Sequence, residues 1–155
     1  MLNYKHQKQR GIPIMAIDGS LYHTEAVNEK GLSGVSFIRG NESLALGVSS
    51  SLVKGAGTNP EQLIGLAVST CFNATIEIIE RMHNLPHKSV VHTGVDQLKD
   101  DTGYQFIVRI QILMAGVEHD QARALVDEAK NYCPVAKLIK QNANVTFEVV
   151  DQFEF

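Results

Sequence analysis

One segment, GTNPEQLIGLAVSTCF with the residues that follow it, constrains the fold of this chain more than any other feature. Asn59 is a favourable helix N-cap, and Pro60 suits the first helical position because a proline lacks the N–H that would be unpaired there. The next strong break is Pro86, so we predict one long helix that ends at residues 82–84. Its first half is apolar nearly all round, which predicts burial on most sides, and its amphipathic last turns should meet solvent.

The rest of the sequence predicts strands before this helix and both strands and helices after it. Glycine-punctuated, β-prone runs in the first fifty residues predict hairpins or a meander. After the helix come two strands joined by the turn DDTG, an amphipathic helix, a short helix that begins at Pro134, and a closing strand. We therefore predict one α+β domain over residues 1–155, ordered βββαββααβ with antiparallel strands, in which residues 1–20 are a candidate N-terminal arm.

Composition and charge argue against several classes of protein. The net charge of -3 and the pI near 6.0 argue against nucleic-acid binding, which requires a clustered basic surface. The apolar run after the basic N-terminal residues is short and is broken by Pro13, unlike the h-region of a signal peptide. No run approaches the roughly 18 apolar residues of a membrane span. We therefore expect a cytoplasmic protein without nucleic-acid or membrane partners, whose two cysteines stay reduced.

Cys71 and Cys133 are the strongest candidates for chemistry, although both could also be small core residues. Cys133 directly precedes Pro134 at the start of the last short helix, where backbone N–H groups can lower the pKa of a thiol. Cys71 lies some twelve residues inside its helix and has no such local donor. If Cys71 is reactive, the fold must supply its activating group.

Metal and phosphate sites are weakly supported by the sequence. His83, His87 and His92 are close together, but Pro86 and the helix end separate the first two. No spacing places two imidazoles on one helix face. The glycine-rich run KGAGTNPE lacks the Lys-Ser/Thr pair of a P-loop. We therefore expect neither a metal nor a cofactor.

The run GAGTNPEQLIGLAVSTCF, followed much later by YCP, resembles the organic hydroperoxide resistance and osmotically inducible protein family (Ohr/OsmC), closer to its Ohr branch. The helix start TNPEQL, the step of ten residues from Glu61 to Cys71 and the Cys-Pro pair carry the resemblance. The predicted order of elements also matches. The resemblance implies an α+β OsmC/Ohr-like fold with antiparallel sheets around a long central helix, in an intertwined homodimer without metal or flavin.

The resemblance also implies an activity, that of an antioxidant thiol peroxidase of the stress response which reduces organic hydroperoxides. Cys71 would be the peroxidatic thiol and Cys133 the resolving thiol of a redox-active disulfide, which a small lipoamide-like dithiol would reduce. Glu61 would orient an activating arginine. Because ten residues of helix rise about 15 Å, Glu61 cannot touch Cys71 of its own helix, and we predict that it serves the Cys71 of the other subunit.

The N-terminal hairpin departs from the family pattern. LYHTEAVNEKGLSG aligns without a gap with the LYTAEA-like strand of Ohr-type members, and Leu32 occupies the position of their arginine. Lys30 and Arg39 are the candidate activating cations, although a lysine cannot form the bidentate fork of an arginine. This departure leaves an alternative function open. The chain could be a family member with lost or altered activity that binds a small hydrophobic ligand or senses redox state.

Overall fold

The computed structural model describes residues 14–29, 31–33, 35–39, 41–52 and 57–154. The chain divides into two compact units, of which the first comprises Met1–Ser49 and Gly55–Gly57. The second comprises Ser50–Lys54 and Thr58–Phe155. Most of the candidate N-terminal arm lies outside the described residues, and the single domain over residues 1–155 stays a prediction.

The first unit contains a three-stranded antiparallel meander, which confirms the predicted hairpins. Its strands pair in sequence order and are β1 (Ala26–Asn28), β2 (Val35–Ile38) and β3 (Asn41–Gly47). One turn of 3-10 helix, Gly31–Ser33, lies between β1 and β2. The Asn28 side chain holds this connection, since its Oδ1 accepts from the N–H of Gly31 at 2.6 Å and its Nδ2 donates to Ser36 Oγ at 3.0 Å.

The second unit packs three helices with a three-stranded sheet. Its elements are α1 (Pro60–Met82), β4 (Ser89–Lys99), β5 (Tyr104–Met114), α2 (His119–Tyr132), α3 (Pro134–Ile139) and β6 (Val145–Val149). The order of elements over both units is therefore the predicted βββαββααβ. The start of α1 also follows the prediction, because Asn59 Oδ1 accepts a hydrogen bond from the N–H of Gln62 at 2.8 Å.

The direction of β6 corrects the prediction that all strands are antiparallel. β4 and β5 form the predicted antiparallel hairpin, with Ser89 opposite Met114. β6 instead pairs with β5 in parallel, with Val108 opposite Val145. The reason is the connection through α2 and α3. A helical crossover returns the chain to the end of the sheet where β5 began, so the next strand runs in the same direction.

The core of the second unit lies where α1, β5 and α2 meet. Alternate residues of β5 and one face of α2 are buried, as their sequence patterns predict. The buried core residues of these three elements are Val68, Phe72, Ile76, Ile79, Val108, Ile110, Ile112, Met114, Ala122, Leu125, Val126 and Ala129. This core fixes α1 relative to the chain that follows it.

The burial of α1 differs from the prediction. Its buried residues belong mainly to its second half, while Leu66 in the first half is 63% exposed. Ile78 in the second half is also exposed, at 55%. The predicted near-complete burial of the first half was wrong for the single chain, because β4, α2 and α3 cover only part of the helix surface. By length and composition α1 could also cross a membrane, but one such helix is weak evidence, since core helices pass the same test.

Glu80 is a buried carboxylate near the end of α1, with 1% of its surface exposed. Its Oε2 lies 2.5 Å from His87 Nδ1, and its Oε1 accepts a hydrogen bond from Ser89 Oγ. His87 lies in the connection after α1 and Ser89 begins β4, so the carboxylate ties the helix end to the first strand of the sheet. A buried carboxylate is tolerated only when it is paired in this way.

We expect Glu80→Ala to lower the free energy of unfolding by about 3 kcal/mol, because the buried Ser89 hydroxyl loses its acceptor and a cavity remains. Urea unfolding followed by circular dichroism measures the change. Glu77→Ala is the matched control, since Glu77 forms an exposed pair with Arg81 on the same helix, and should change the value by less than about 0.5 kcal/mol. Equal losses from the two variants would show that Glu80 does not tie the elements together.

Candidate active site

Cys71 and Cys133 lie together in the fold although 62 residues separate them in sequence. Cys71 is near the middle of α1, and Cys133 lies between α2 and α3. Both are free thiols, and their Sγ atoms are 3.6 Å apart. Since a disulfide needs about 2.05 Å between the sulfurs, a small movement would allow them to bond.

The break between α2 and α3 gives Cys133 its position. A residue before proline is steered away from helical geometry, and Cys133 accordingly has extended angles, φ -67° and ψ 121°. Its N–H still donates to the carbonyl of Ala129 at 2.9 Å and ends α2. Its side chain caps α3, which starts afresh at Pro134. Contacts of α1 with both helices then bring Cys71 to this junction.

The first turn of α3 directs a backbone N–H group at each sulfur. The N–H of Ala136 donates to Cys133 Sγ at 3.5 Å, and the N–H of Val135 donates to the sulfur of Cys71. Burial raises the pKa of the Cys71 thiol above its ordinary value, the Val135 donor opposes this rise, and neighbouring Cys133 adds to it. Within the described residues, burial therefore outweighs the one donor, and Cys71 favours its neutral form.

The two thiols differ in their access to solvent. Cys133 is 0% exposed and belongs to the hydrophobic core, whereas Cys71 is only partly buried. A small molecule arriving from solvent therefore meets the sulfur of Cys71 first. The same contrast makes Cys133 a poor target for reagents as long as the fold is intact.

Glu61 lies in the first turn of α1, ten residues before Cys71. The helix is continuous between them, so about 15 Å of axial rise separates the two, as predicted. Glu61 Oε1 accepts a hydrogen bond from Ser51 Oγ at 3.0 Å, and the same hydroxyl lies 3.0 Å from Gln97 Oε1. Glu61 Oε2 is buried and has no hydrogen-bond partner within the part of the chain that the structure describes. It is therefore an acceptor that requires a donor from elsewhere.

A groove of about 560 Å³ runs between α1 and β4 beside this carboxylate. Glu61, Leu66 and Thr93 are among its lining residues. Thr93 Oγ1 is a second buried polar atom without a hydrogen-bond partner among the described side chains. The groove thus has a mixed polar and apolar lining and lies beside two buried polar atoms that have no hydrogen-bond partner among the described residues.

No contact among the described residues places a candidate cation beside either sulfur. Lys30 lies outside the described residues. Arg39 belongs to the first unit, where its Nη1 is 2.8 Å from Glu25 Oε2. This guanidinium holds the pKa of the Glu25 carboxyl below its ordinary value, and His23 adds to the effect. Leu32 is exposed in the 3-10 turn. The role of either cation at Cys71 stays a prediction.

The histidines that are close in sequence have separate partners in the structure. His83 Nε2 lies 2.9 Å from Glu128 Oε2, and His87 contacts Glu80. The ring of His92 lies edge-on to that of Phe153, with centroids 5.4 Å apart. Across the ranges that the structure describes, no group of three His, Cys, Asp or Glu side chains is placed to hold a metal ion.

Sequence reasoning missed two groups that contact the candidate residues, namely the hydroxyl of Ser51 and the N–H of Val135. Backbone amides have no side-chain signature, and the Cys-Pro pair indicates only that N–H groups lie near Cys133. Nothing in the local sequence indicates that the N–H of Val135 faces Cys71, because that contact depends on how α1 packs against α3. Ser51 is one of three consecutive serines in a loop, and no pattern distinguishes it from its neighbours.

The model of the family described as OsmC-like protein matches residues 53–148, more than half of the chain. The chain belongs to the OsmC family. The organic hydroperoxide resistance protein-like 2 of Staphylococcus epidermidis is 29% identical over 139 residues, which cover 86% of this chain and 98% of that protein. The predicted family membership is therefore confirmed.

Solved structures of relatives show the same fold. A protein from Lactobacillus casei described as a candidate redox protein is 41% identical, with a TM-score of 0.81 over 89% of this chain and 96% of its own. The organic hydroperoxide resistance protein OhrB of Bacillus subtilis is 23% identical, with a TM-score of 0.76 over 84% of this chain and 100% of its own. These similarities confirm an α+β OsmC/Ohr fold with two sheets and helices.

We expect iodoacetamide to alkylate Cys71 at least about tenfold faster than Cys133 in the folded protein, because only Cys71 is accessible. Peptide mass spectrometry at successive times measures both rates. In concentrated urea the same measurement is the control, and the two rates should become similar. Faster alkylation of Cys133 in the folded protein would contradict the difference in access.

Proposed function

We propose that this protein is a cytoplasmic enzyme that reduces organic hydroperoxides through a thiol–disulfide cycle of Cys71 and Cys133. The observation that carries the proposal is the distance of 3.6 Å between an accessible and a buried thiol. Family membership supports it, because a relative that spans most of the chain is named organic hydroperoxide resistance protein-like 2. The two sulfurs can accept and pass on two electrons without a metal or flavin.

The oxidative half of the cycle follows from the placement of the two sulfurs. The Cys71 thiolate attacks the terminal oxygen of the hydroperoxide, the O–O bond breaks, and the alcohol leaves after taking a proton. Cys71 is now a sulfenic acid. The sulfur of Cys133 attacks it, a disulfide forms, and the hydroxyl group of the sulfenic acid leaves as water with the proton of the Cys133 thiol. A small dithiol of the lipoamide type then returns both cysteines to thiols and becomes a cyclic disulfide.

We propose further that the enzyme is a homodimer in which two α1 helices pack antiparallel. The exposed apolar surface in the first half of α1 supports this, since Leu66 is 63% exposed and Ala67 beside it is exposed as well. A two-fold axis near Leu66, which is midway between Glu61 and Cys71 in sequence, would place the Glu61 of each helix beside the Cys71 of the other.

This arrangement would resolve the electrostatic problem at Cys71. Burial raises the pKa of this thiol, so a thiolate near neutral pH requires more positive charge than the N–H of Val135 supplies. The unpartnered Oε2 of Glu61 could hold a cation beside the sulfur. Arg39 and Lys30 are the proposed cations. Pairing of Arg39 with Glu25 through Nη1 leaves other guanidinium N–H groups for a second carboxylate.

We expect one equivalent of cumene hydroperoxide to convert the reduced protein rapidly into the Cys71–Cys133 disulfide, which mass spectrometry of unreduced peptides detects. Cys71→Ser should abolish the reaction, because the attacking sulfur is lost. Cys133→Ser should stop it at a sulfenic acid on Cys71, which dimedone traps. An inert Cys71 in the wild-type protein would refute the enzyme. It would favour instead a protein that binds a small hydrophobic ligand or senses redox state.

Subunit complementation tests whether Glu61 acts across the dimer. We expect Glu61→Gln and Cys71→Ser each to lower hydroperoxide reduction at least about tenfold, since one lacks the residue that holds the cation and the other lacks the nucleophile. After unfolding and refolding together, the two variants should regain about a quarter of wild-type activity, because half of the dimers then carry one intact site.

The control for this experiment is the mixture of the same variants without unfolding, which should remain inactive unless subunits exchange. A refolded mixture that gains nothing, although it contains heterodimers by native mass spectrometry, would show that Glu61 does not serve the opposite subunit. The double variant refolded with an equal amount of wild-type protein is the converse test. If Glu61 acts across the dimer, these heterodimers carry no intact site, and only the wild-type homodimers, about a quarter of all dimers, stay active.

A further inference from the structure

We infer that a reducing thiol attacks the disulfide at Cys71 and that Cys133 always leaves as the thiolate, an inference that rests on the proposed function. A disulfide offers two sulfurs to a nucleophile, and access is one of the factors that decide which is attacked. The structure makes the two sulfurs unequal, so we expect reduction to proceed in one direction.

Access to the sulfurs is the main argument. An attacking thiolate approaches one sulfur along the line of the S–S bond, from the side opposite the leaving sulfur. Cys133 is completely buried in the core, so a thiol that attacked it would have to pass through core side chains. Cys71 is only partly buried, and the line from its sulfur to that of Cys133 leads from the accessible atom into the core. Attack from solvent therefore reaches Cys71.

The sulfur that leaves must also accommodate negative charge. When a thiol attacks Cys71, the electron pair of the S–S bond moves to Cys133 Sγ. The N–H of Ala136 lies 3.5 Å from this atom and donates to it, so a hydrogen-bond donor is already present where the charge develops. This donor offsets part of the cost of placing charge on a buried sulfur. Because the N–H of Val135 serves Cys71 in the same way, access decides between the two sulfurs.

The chemistry balances in two exchange steps. In the first, the thiolate of the reductant bonds to Cys71, the Cys71–Cys133 bond breaks, and Cys133 takes up one proton after leaving. In the second, the other thiol of the same dithiol attacks the reductant sulfur that is bound to Cys71. Cys71 then leaves as a thiolate, the dithiol closes into a cyclic disulfide, and two electrons have passed to the protein.

The experiment uses a monothiol to identify which of the two cysteines is attacked in the first step. The protein is oxidised with diamide, so the result does not depend on any reaction with hydroperoxide. The oxidised protein is then mixed briefly with 2-mercaptoethanol, quenched with acid, denatured, and labelled with N-ethylmaleimide at acidic pH. We expect the mercaptoethanol adduct on Cys71 and the maleimide on Cys133, with the opposite isomer at least about tenfold rarer.

The matched control is the same disulfide protein in concentrated urea, where both isomers should form in comparable amounts because burial no longer distinguishes the sulfurs. An adduct mainly on Cys133, or an even mixture from the folded protein, would overturn the inference. The hydroperoxide experiment above remains separate. If the protein does not react with hydroperoxide but carries the adduct on Cys71, the proposed function is refuted and the direction of exchange stands. If it reacts with hydroperoxide but carries the adduct on Cys133, only the direction is refuted.

Discussion

The packing of the α2–α3 junction against α1 is the interaction on which the chemistry of this structure depends. Pro134 has no N–H and steers the residue before it into an extended conformation, so α2 must end at Cys133 and a new helix must begin. The break turns the cysteine side chain towards its own helix start and towards α1. Without the break, Cys133 Sγ would not accept a hydrogen bond from the N–H of Ala136, the donor that the start of α3 supplies.

The parts of the fold that depend on local chemistry could be predicted from the sequence. Asn59 and Pro60 set the start of α1, and Pro86 limits its end, because capping and proline geometry act over a few residues. The direction of β6 could not be predicted in this way. A short alternating strand looks the same in parallel and antiparallel pairing, and only the path of the chain through α2 and α3 decides between them.

The candidate site, too, could be predicted from the sequence only in part. The Cys-Pro pair indicated donors near Cys133, and the family resemblance indicated Cys71 and Glu61. The amide of Val135 and the hydroxyl of Ser51 were missed, because their roles follow from contacts between distant elements. Burial of α1 was overestimated for a related reason. A helix that is apolar all round has to be buried against other surfaces, but its sequence does not show whether those surfaces belong to the same chain. Leu66 is exposed in the single chain.

The 62 residues between the two cysteines also impose an order of events on the newly made chain. Translation delivers Cys71 before β4, β5 and α2 exist, and Cys133 arrives only after all three. Until α3 docks, a Cys71 that meets a peroxide has no neighbouring thiol and can proceed to irreversible oxidation. Completion of α3 is therefore the step that places a second thiol where it can condense with an oxidised Cys71.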